Sequence, residues 1–231
     1  MLNLVKRKAC ARRALLDHLA ARLDARPAAP VLRVAIDGVD GAGKTTFADE
    51  LAAVLRERGR TVIRASVDGF HAPRAVRYRL GRDSPEGFYR DSYDYAGLRS
   101  ALLDPLGPGG SLRYRTAIFD HTTDSPVDTP ELRAGPGSIL LLDGLFLHRP
   151  ELRDVWDDSV FLHVDFEVSV PRGASRGPGW GSPNPLAESN RRYVEGHRLY
   201  FREAGPWKHA GVIVDNNALE APFFTSGPSM S

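Results

Sequence analysis

The residues with the most evident chemistry lie in one short stretch, GVDGAGKT at positions 38–45, where three glycines precede a lysine and a threonine. Glycines allow the backbone to wrap closely around an anion, with several N–H groups pointing inward. A helix that begins at the same place turns the positive end of its dipole towards that anion. The stretch therefore predicts a phosphate-binding loop.

The side chains of the loop extend this prediction to a nucleotide and a metal ion. Lys44 is expected to reach the β and γ phosphates, and the hydroxyl of Thr45 is expected to ligate Mg²⁺. A glycine turn alone would explain the glycines but not Lys44, one of only four lysines in the chain. The residues predicted to bind ATP are Gly38, Asp40, Gly41, Ala42, Gly43, Lys44, Thr45 and Thr46.

A phosphate loop needs a strand before it and a helix after it, and the chain supplies both. Apolar runs rich in β-branched residues predict five buried strands, at 31–37, 61–68, 138–144, 159–166 and 211–216. Helical patterns fall between them, at 45–58, 95–103 and 190–201. This alternation predicts an α/β fold of the P-loop NTPase kind, with a five-stranded parallel sheet covered by helices on both faces. Ligands of such sheets bind at the carboxyl ends of the strands.

Most of these runs finish on or beside an acidic residue, and two of those acids have a predicted role. Asp68, in SVDGFH, is predicted to orient an acceptor hydroxyl and take its proton, although an Asp-Gly turn is the alternative. Asp143 closes the apolar run SILLLDG and is predicted to hold Mg²⁺ opposite Thr45; the alternative is a cap on the next turn. A small-molecule kinase is therefore favoured over a GTPase switch, since no N-K-x-D stretch for guanine is present.

Two irregular segments and the two chain ends lie outside the alternation of strands and helices. Residues 72–130, rich in Arg, Asp, Tyr and Pro, are expected to bind the substrate, and residues 171–190 to form a mobile lid. Arg172 and Arg176 would close over the phosphates from that lid, unless they form a solvated basic face. Residues 1–30 are predicted to form a basic helix packed on the kinase domain 31–225, and residues 226–231 a disordered tail.

Composition excludes several other classes. The net charge of the 231 residues is only +2, so neither nucleic acid nor a membrane surface is an expected partner, whereas a small molecule is; a homo-oligomer stays open. No run of about 20 apolar residues could span a bilayer. The single cysteine leaves no disulfide and fits a reducing cytoplasm.

With these motifs in place, the chain resembles the uridine kinase and phosphoribulokinase group of P-loop kinases over residues 31–216. The resemblance rests on IDGVDGAGKTT, SVDGFH, RDSPEGF, IFDHTTDSP, LLLDGLFLHRPELRDVWD and AGVIVDN. It implies transfer of the γ-phosphate of ATP to a hydroxyl such as the 5′-OH of a ribonucleoside, with Asp68 as the base. It also implies a substrate set in which Asp83 holds the ribose hydroxyls, joined by His71, Phe119, Asp120 and Asp124.

The chain departs from uridine kinases at two of these positions. Phe119 replaces a tyrosine and cannot donate a hydrogen bond, and Asp124 replaces a histidine that contacts the base. Other acceptors therefore stay open, pantothenate above all, because pantothenate kinases share the DGF after the second strand. Thymidylate kinases share the phosphate loop, but the D-R-[YF] stretch that would support them is missing. A nucleotide-binding sensor without catalysis is the non-enzyme alternative.

Overall fold

A six-stranded sheet forms the centre of the molecule, whose computed structural model describes residues 2–27, 30–177 and 181–227. Its strand order is β10-β9-β8-β1-β7-β2, and two further two-stranded sheets, β3-β6 and β4-β5, lie outside it. The strands are β1 (Val31–Gly38), β2 (Val62–Ser66), β3 (Arg113–Tyr114), β4 (Phe119–Asp120), β5 (Ser125–Pro126), β6 (Leu132–Arg133), β7 (Ser138–Gly144), β8 (Asp158–His163), β9 (Val212–Asp215) and β10 (Phe223–Thr225).

Seven α-helices accompany these strands in the described part of the chain. They are α1 (Leu2–Asp24), α2 (Lys44–Glu57), α3 (Arg74–Arg77), α4 (Pro85–Asp91), α5 (Tyr95–Leu98), α6 (Phe166–Ala174) and α7 (Glu188–Ala204). A π-helical turn, Arg99–Leu103, extends α5, and three 3₁₀ turns cover Val67–Phe70, Arg153–Val155 and Pro206–Lys208. The shortest helices lie in the segment between β2 and β7, which is why that segment looks irregular in the sequence.

The five apolar runs form the five parallel strands, as predicted, but the sheet has a sixth strand that the sequence analysis missed. β10 pairs antiparallel with β9 at one edge. It contains only three residues and follows a proline, so it is too short to give a recognisable alternation of apolar and polar residues. The prediction of five strands was therefore wrong by one antiparallel edge strand.

The sheet is covered on both faces because its central strands carry apolar residues on both sides. Every residue of β1 and β7 is buried. Along β1, Leu32, Val34 and Ile36 pack with α1 and α2, whereas Val31 and Ala35 pack with the opposite layer. Burying one such leucine or isoleucine side chain contributes about 1.5–3 kcal/mol. The two layers together hold the carboxyl ends of the strands in fixed register.

Helix α1 lies against α2 through the leucines that its helical spacing predicts. The buried residues of its described side chains are Leu15, Leu16, Leu19, Ala20 and Leu23. Its arginines form ion pairs with the domain, as in the contact of Arg22 Nε with Asp158 Oδ2 at 2.9 Å. None of the described helices is both long and apolar enough to cross a membrane.

The segments expected to be substrate-binding and lid regions have more structure than loops usually have. Between β2 and β7, α4 packs against α7, and β4 contacts the 3₁₀ turn after β2. Helix α6 covers the first part of the predicted lid, but residues 178–180 lie outside the described residues. Most of the predicted disordered tail, residues 228–231, also lies outside them.

Candidate active site

The carboxyl ends of β1, β7 and β2 open into a cleft of about 330 Å³. The parallel register places Ile36 of β1 and Ser66 of β2 on either side of Asp143 of β7. The phosphate loop follows β1 directly and the turn with Asp68 follows β2 directly. Three separate parts of the sequence therefore meet at one edge of the sheet, where ligands of parallel sheets bind.

Glycine is required at two positions of the loop for different reasons. Gly41 has a left-handed backbone with φ 73°, and a Cβ there would lie 2.1 Å from the carbonyl oxygen of Ser169 in α6. Gly43 has φ 85° and immediately precedes α2, with no side chain capping the helix. The first N–H groups of α2 therefore face the cleft without a side-chain acceptor, which favours an anion at this point.

Lys44 and Asp40 set the charge of the loop. Lys44 Nζ donates to the carbonyl oxygen of Val39 at 2.8 Å and lines the cleft. Burial lowers the pKa of Lys44, although nearby carboxylates, first that of Asp40, oppose this effect. Burial alone would raise the pKa of Asp40, but contact with His197 and the charges of Lys44 and Arg176 outweigh it, so the pKa of Asp40 lies below its ordinary value.

Thr45 and Asp143 are in direct contact. The Thr45 hydroxyl donates to Asp143 Oδ2 at 2.7 Å, and Arg64 Nη2 donates to Asp143 Oδ1 at 2.8 Å. Asp143 is buried and still lines the cleft. Two hard oxygen groups thus lie side by side next to the phosphate loop, which fits Mg²⁺, an ion usually held by one or two protein groups together with substrate phosphates.

Asp68 opens into the same cleft from the turn after β2. Ser66 Oγ accepts a hydrogen bond from the backbone N–H of Asp68 at 3.3 Å, and Tyr93 donates its hydroxyl to Asp68 Oδ1 at 3.2 Å. Desolvation raises the pKa of Asp68, against the lowering effects of Lys44 and Tyr93. A carboxylate with a raised pKa is a better proton acceptor than an ordinary aspartate.

A buried polar network beneath the loop was missed by the sequence analysis. Asp37, fully buried at the end of β1, accepts hydrogen bonds from Tyr200 and from the backbone N–H of Gly38, and contacts His148 Nδ1 at 2.7 Å. His148 Nε2 lies 2.9 Å from Ser159 Oγ. The network fixes the start of the loop. In the sequence, the signal that could have revealed it is Asp37, the acid at the end of the first apolar run.

The two arginines predicted to act together are separated by the structure. Arg172 donates both terminal nitrogens to backbone carbonyls, those of Asn216 and Asn217 after β9. Arg176, four residues later and beyond the end of α6, lines the cleft close enough to Asp40 to lower its pKa. Of the two arginines, only Arg176 lines the cleft, since α6 ends at Ala174, between them.

The predicted substrate residues differ in where they lie. His71 lines the cleft, with burial as the main cause that lowers its pKa to about 3, so its imidazole is neutral. Four other predicted residues do not line the described cleft: they are Asp83, Phe119, Asp120 and Asp124.

The surroundings of these four residues differ. Asp83 is exposed and Phe119 is buried. Asp120 accepts from the backbone N–H and hydroxyl of Thr122 in its own turn. Asp124, with a left-handed backbone of φ 55°, accepts from the N–H of Arg74 and from Arg77 Nη2. Asp120 and Asp124 are therefore hydrogen-bonded to other residues of the protein, although the resemblance implied that both contact the substrate.

Other residues of the cleft were not predicted as substrate residues. Arg77 and Tyr78 reach it from α3 and the residue after it, and Arg192 and Tyr193 reach it from α7. His121 also lines the cleft, and its ring lies 4.7 Å from that of His71. No local motif marks these residues; their shared location depends on the packing of α4 against α7.

Solved structures of other proteins resemble this chain, whereas sequence comparisons find no match. No protein-family model and no curated protein sequence matches the chain. Among solved structures, a protein described as a possible uridine kinase from Bacillus stearothermophilus is 26% identical, with a TM-score of 0.69 over 87% of this chain and 97% of that one. A protein assigned as a fructose transport system kinase from Silicibacter sp. TM1040 is 25% identical, with a TM-score of 0.64 over 84% and 95%.

A more distant structure shows the fold alone. D-glycerate 3-kinase from Cryptococcus neoformans var. grubii is 15% identical, with a TM-score of 0.50 over 85% of this chain and 88% of that one. All three similar structures are kinases by description, and the described cleft holds Lys44, Thr45 and Asp143 at the phosphate-loop edge of the sheet. The motifs, the fold and these likenesses together make the chain similar to uridine kinase-like P-loop kinases.

Proposed function

We propose that the protein is an ATP- and Mg²⁺-dependent kinase that transfers the γ-phosphate to a hydroxyl of a small metabolite. The observation that carries this proposal is the meeting of Lys44, the Thr45–Asp143 pair and Asp68 around one cleft. Nucleotide binding alone would require the loop and Lys44, but not a carboxylate with a raised pKa open to the same space. This difference argues against the nucleotide-binding sensor.

Each residue has a distinct part in the transfer. The loop N–H groups and Lys44 bind the phosphates and hold the γ-phosphate at the N-terminus of α2. Asp68 orients the acceptor hydroxyl and accepts its proton as the new P–O bond forms. Arg176 neutralises charge on the transferring group. ADP leaves when the bond to the γ-phosphorus breaks.

Thr45 and Asp143 would hold Mg²⁺ next to the loop. When bound, the ion would neutralise charge on the nucleotide phosphates. Arg64 contributes to this arrangement by fixing the Asp143 carboxylate from the side away from Thr45, through the 2.8 Å contact with Oδ1.

Two kinds of acceptor are supported by different observations. The resemblance to uridine kinases and the similar structure described as a possible uridine kinase support a ribonucleoside or a nucleoside-like metabolite. The DGF stretch shared with pantothenate kinases and the arginines of the cleft support an acceptor with a carboxylate. In both cases the reaction is phosphoryl transfer to an alcohol.

The test is ADP release from MgATP with and without an acceptor panel. The panel contains uridine, cytidine, purine nucleosides, pantothenate, glycerate and simple sugars, and Lys44→Ala is the inactive control. We expect at least one acceptor to accelerate ADP release from wild-type protein and not from the control. ADP release that no acceptor accelerates, in a protein that binds ATP, would favour the sensor instead.

A further inference from the structure

Three arginine side chains converge on one tyrosine at the cleft. The guanidinium carbons of Arg192, Arg77 and Arg82 lie 5.0, 5.5 and 6.0 Å from the centre of the Tyr78 ring. Arg192 also lies 5.5 Å from the ring centre of Phe88. Stacking on aromatic faces fixes the planar guanidinium groups but does not cancel their charges.

These charges have little compensation from carboxylates. Arg77 Nη2 pairs with Asp124 Oδ1 at 3.1 Å, whereas its buried Nε has no hydrogen-bond partner. Arg192 Nη1 donates to the carbonyl oxygen of Arg82 at 2.6 Å, and its buried Nε also has no partner. Within the described ranges, neither Arg192 nor Arg82 forms an ion pair with a carboxylate. Like charges gathered around one ring repel one another, and an anion bound between them would relieve that repulsion.

The nucleotide phosphates do not account for these arginines. Lys44 and Arg176 are the cations that act on Asp40 of the phosphate loop. Arg77 belongs to α3, close to His71, and Arg192 belongs to α7 next to Tyr193. Arg77 is 8% exposed and lines the cleft, so a buried, partly unsatisfied donor faces the space beside Asp68.

On the basis of the proposed kinase function, we propose that the acceptor carries an anionic group, a carboxylate or a phosphate ester, which Arg77 and Arg192 bind. The guanidinium fork matches two oxygens of such a group, and charge-assisted hydrogen bonds of this kind are about twice as strong as neutral ones. The neutral ring of His71, whose Nδ1 has no partner, can bond a hydroxyl of the same molecule. The acceptor hydroxyl then loses its proton to Asp68 as its oxygen bonds to the γ-phosphorus and ADP departs.

Acceptors in matched pairs test this inference by kcat/KM. Each pair joins an anion with its neutral analogue: D-glycerate with glycerol, pantothenate with pantothenol, uridine 3′-monophosphate with uridine, and ribulose 5-phosphate with ribulose. We expect the anionic member of at least one pair to be preferred by about tenfold or more, because each fully desolvated charge-assisted contact contributes that much discrimination. A preference confined to the first two pairs identifies a carboxylate, and one confined to the last two identifies a phosphate ester.

Arg192→Gln removes the charge, and Arg191→Gln is its matched control on the same helix. Arg191 is exposed and pairs with Glu188 at 2.7 Å, away from the cleft. We expect Arg192→Gln to lower kcat/KM for the anionic acceptor by about 10- to 100-fold, as for loss of a charged hydrogen bond, with the KM for ATP unchanged. Arg192→Lys should recover part of this loss because it restores charge without the fork. Thermal unfolding of all variants confirms that they fold.

A binding measurement separates this inference from the kinase function. Wild-type protein is saturated with Mg²⁺ and a non-hydrolysable ATP analogue, so that the phosphate loop is filled, and is titrated with D-glycerate and with inorganic phosphate. We expect at least one anion to bind, and to bind about tenfold more weakly to Arg192→Gln. Equal turnover of neutral and anionic acceptors, or equal binding to both proteins, would overturn the inference while leaving the kinase function intact. Absence of any phosphorylated product would overturn the kinase function, and the titration would still decide whether the anion site exists.

Discussion

Replacing Asp68 with asparagine isolates the proton transfer from nucleotide binding. Asparagine has the same shape as aspartate. Its side-chain oxygen can still accept a hydrogen bond from the Tyr93 hydroxyl, which donates to Asp68 Oδ1 at 3.2 Å in the wild type. The hydrogen bond from the Asp68 backbone N–H to Ser66 Oγ is unaffected, since it does not involve the Asp68 side chain. The substitution therefore removes a proton acceptor with little change of shape.

The size of the effect follows from that single loss. A positioned general base contributes about 10²–10⁴ in rate, which corresponds to about 2.7–5.4 kcal/mol of transition-state stabilisation. Asp68 is one of the carboxylates that oppose the burial-driven lowering of the Lys44 pKa, but Asp40, Asp37 and Asp143 remain after the substitution. Lys44 should thus stay available for the phosphates, and the KM for ATP should change by less than about threefold.

Steady-state kinetics with saturating acceptor measure kcat and the KM for ATP for both proteins. Asp154→Asn, at an exposed aspartate remote from the cleft, is the control for the same chemical change. A fall in kcat of about a hundredfold or more with an unchanged KM for ATP supports the assigned role. Equal turnover in Asp68→Asn and wild type would refute the reasoning, and a large rise in the KM for ATP would mean that Asp68 acts on nucleotide binding.

Three further predictions concern other residues of the site. Activity should fall as the pH decreases through the Asp68 pKa, which desolvation raises. Tyr93→Phe should move this acidic limb of the pH profile to higher pH, because it removes a hydrogen bond that lowers the Asp68 pKa. An unshifted acidic limb in the kcat/KM profile of Tyr93→Phe would contradict this. Arg176→Ala should lower kcat by about tenfold or more, with a smaller effect on the KM for ATP. Arg172→Ala should instead lower the free energy of unfolding by about 1 kcal/mol in urea titrations, because Arg172 donates hydrogen bonds to backbone carbonyls. A comparable fall in kcat for both variants would instead support the sequence-based assignment of both arginines to a lid. Asp83→Asn should change the acceptor kcat/KM by less than about twofold, as for an exposed side chain outside the cleft; a large rise in the acceptor KM would mean that Asp83 contacts the substrate as the resemblance implies.

The parts of the molecule that sequence predicts well are those governed by local rules. Apolar runs that are buried on both faces give parallel strands, and a glycine-rich stretch before an amphipathic run gives the loop and α2. The contact between Thr45 and Asp143 was also predictable, because parallel strands carry their carboxyl ends to one edge. In these cases neighbouring residues, or the sheet itself, determine the outcome.

The parts that sequence could not predict depend on packing between distant segments. Arg172 and Arg176 have helical spacing, but α6 ends between them, and only the structure reveals that Arg172 bonds the chain after β9. Asp124 is paired by Arg77, which lies 47 residues away. The gathering of Arg77 and Arg192 around Tyr78 likewise requires α3 and α7 to meet, and no local pattern encodes that meeting.

Phosphoryl transfer from ATP to an acceptor hydroxyl can be followed by tracking an isotope label in the γ-phosphate. Purified protein, Mg²⁺ and ATP with a labelled γ-phosphate are incubated with the acceptor panel, and the label is located by mass spectrometry. We expect the label to appear in a phosphate ester of one acceptor, in an amount equal to the ADP formed, and we expect no labelled ester with Lys44→Ala. Label that stays in ATP, or is released only as inorganic phosphate with every acceptor present, would contradict it.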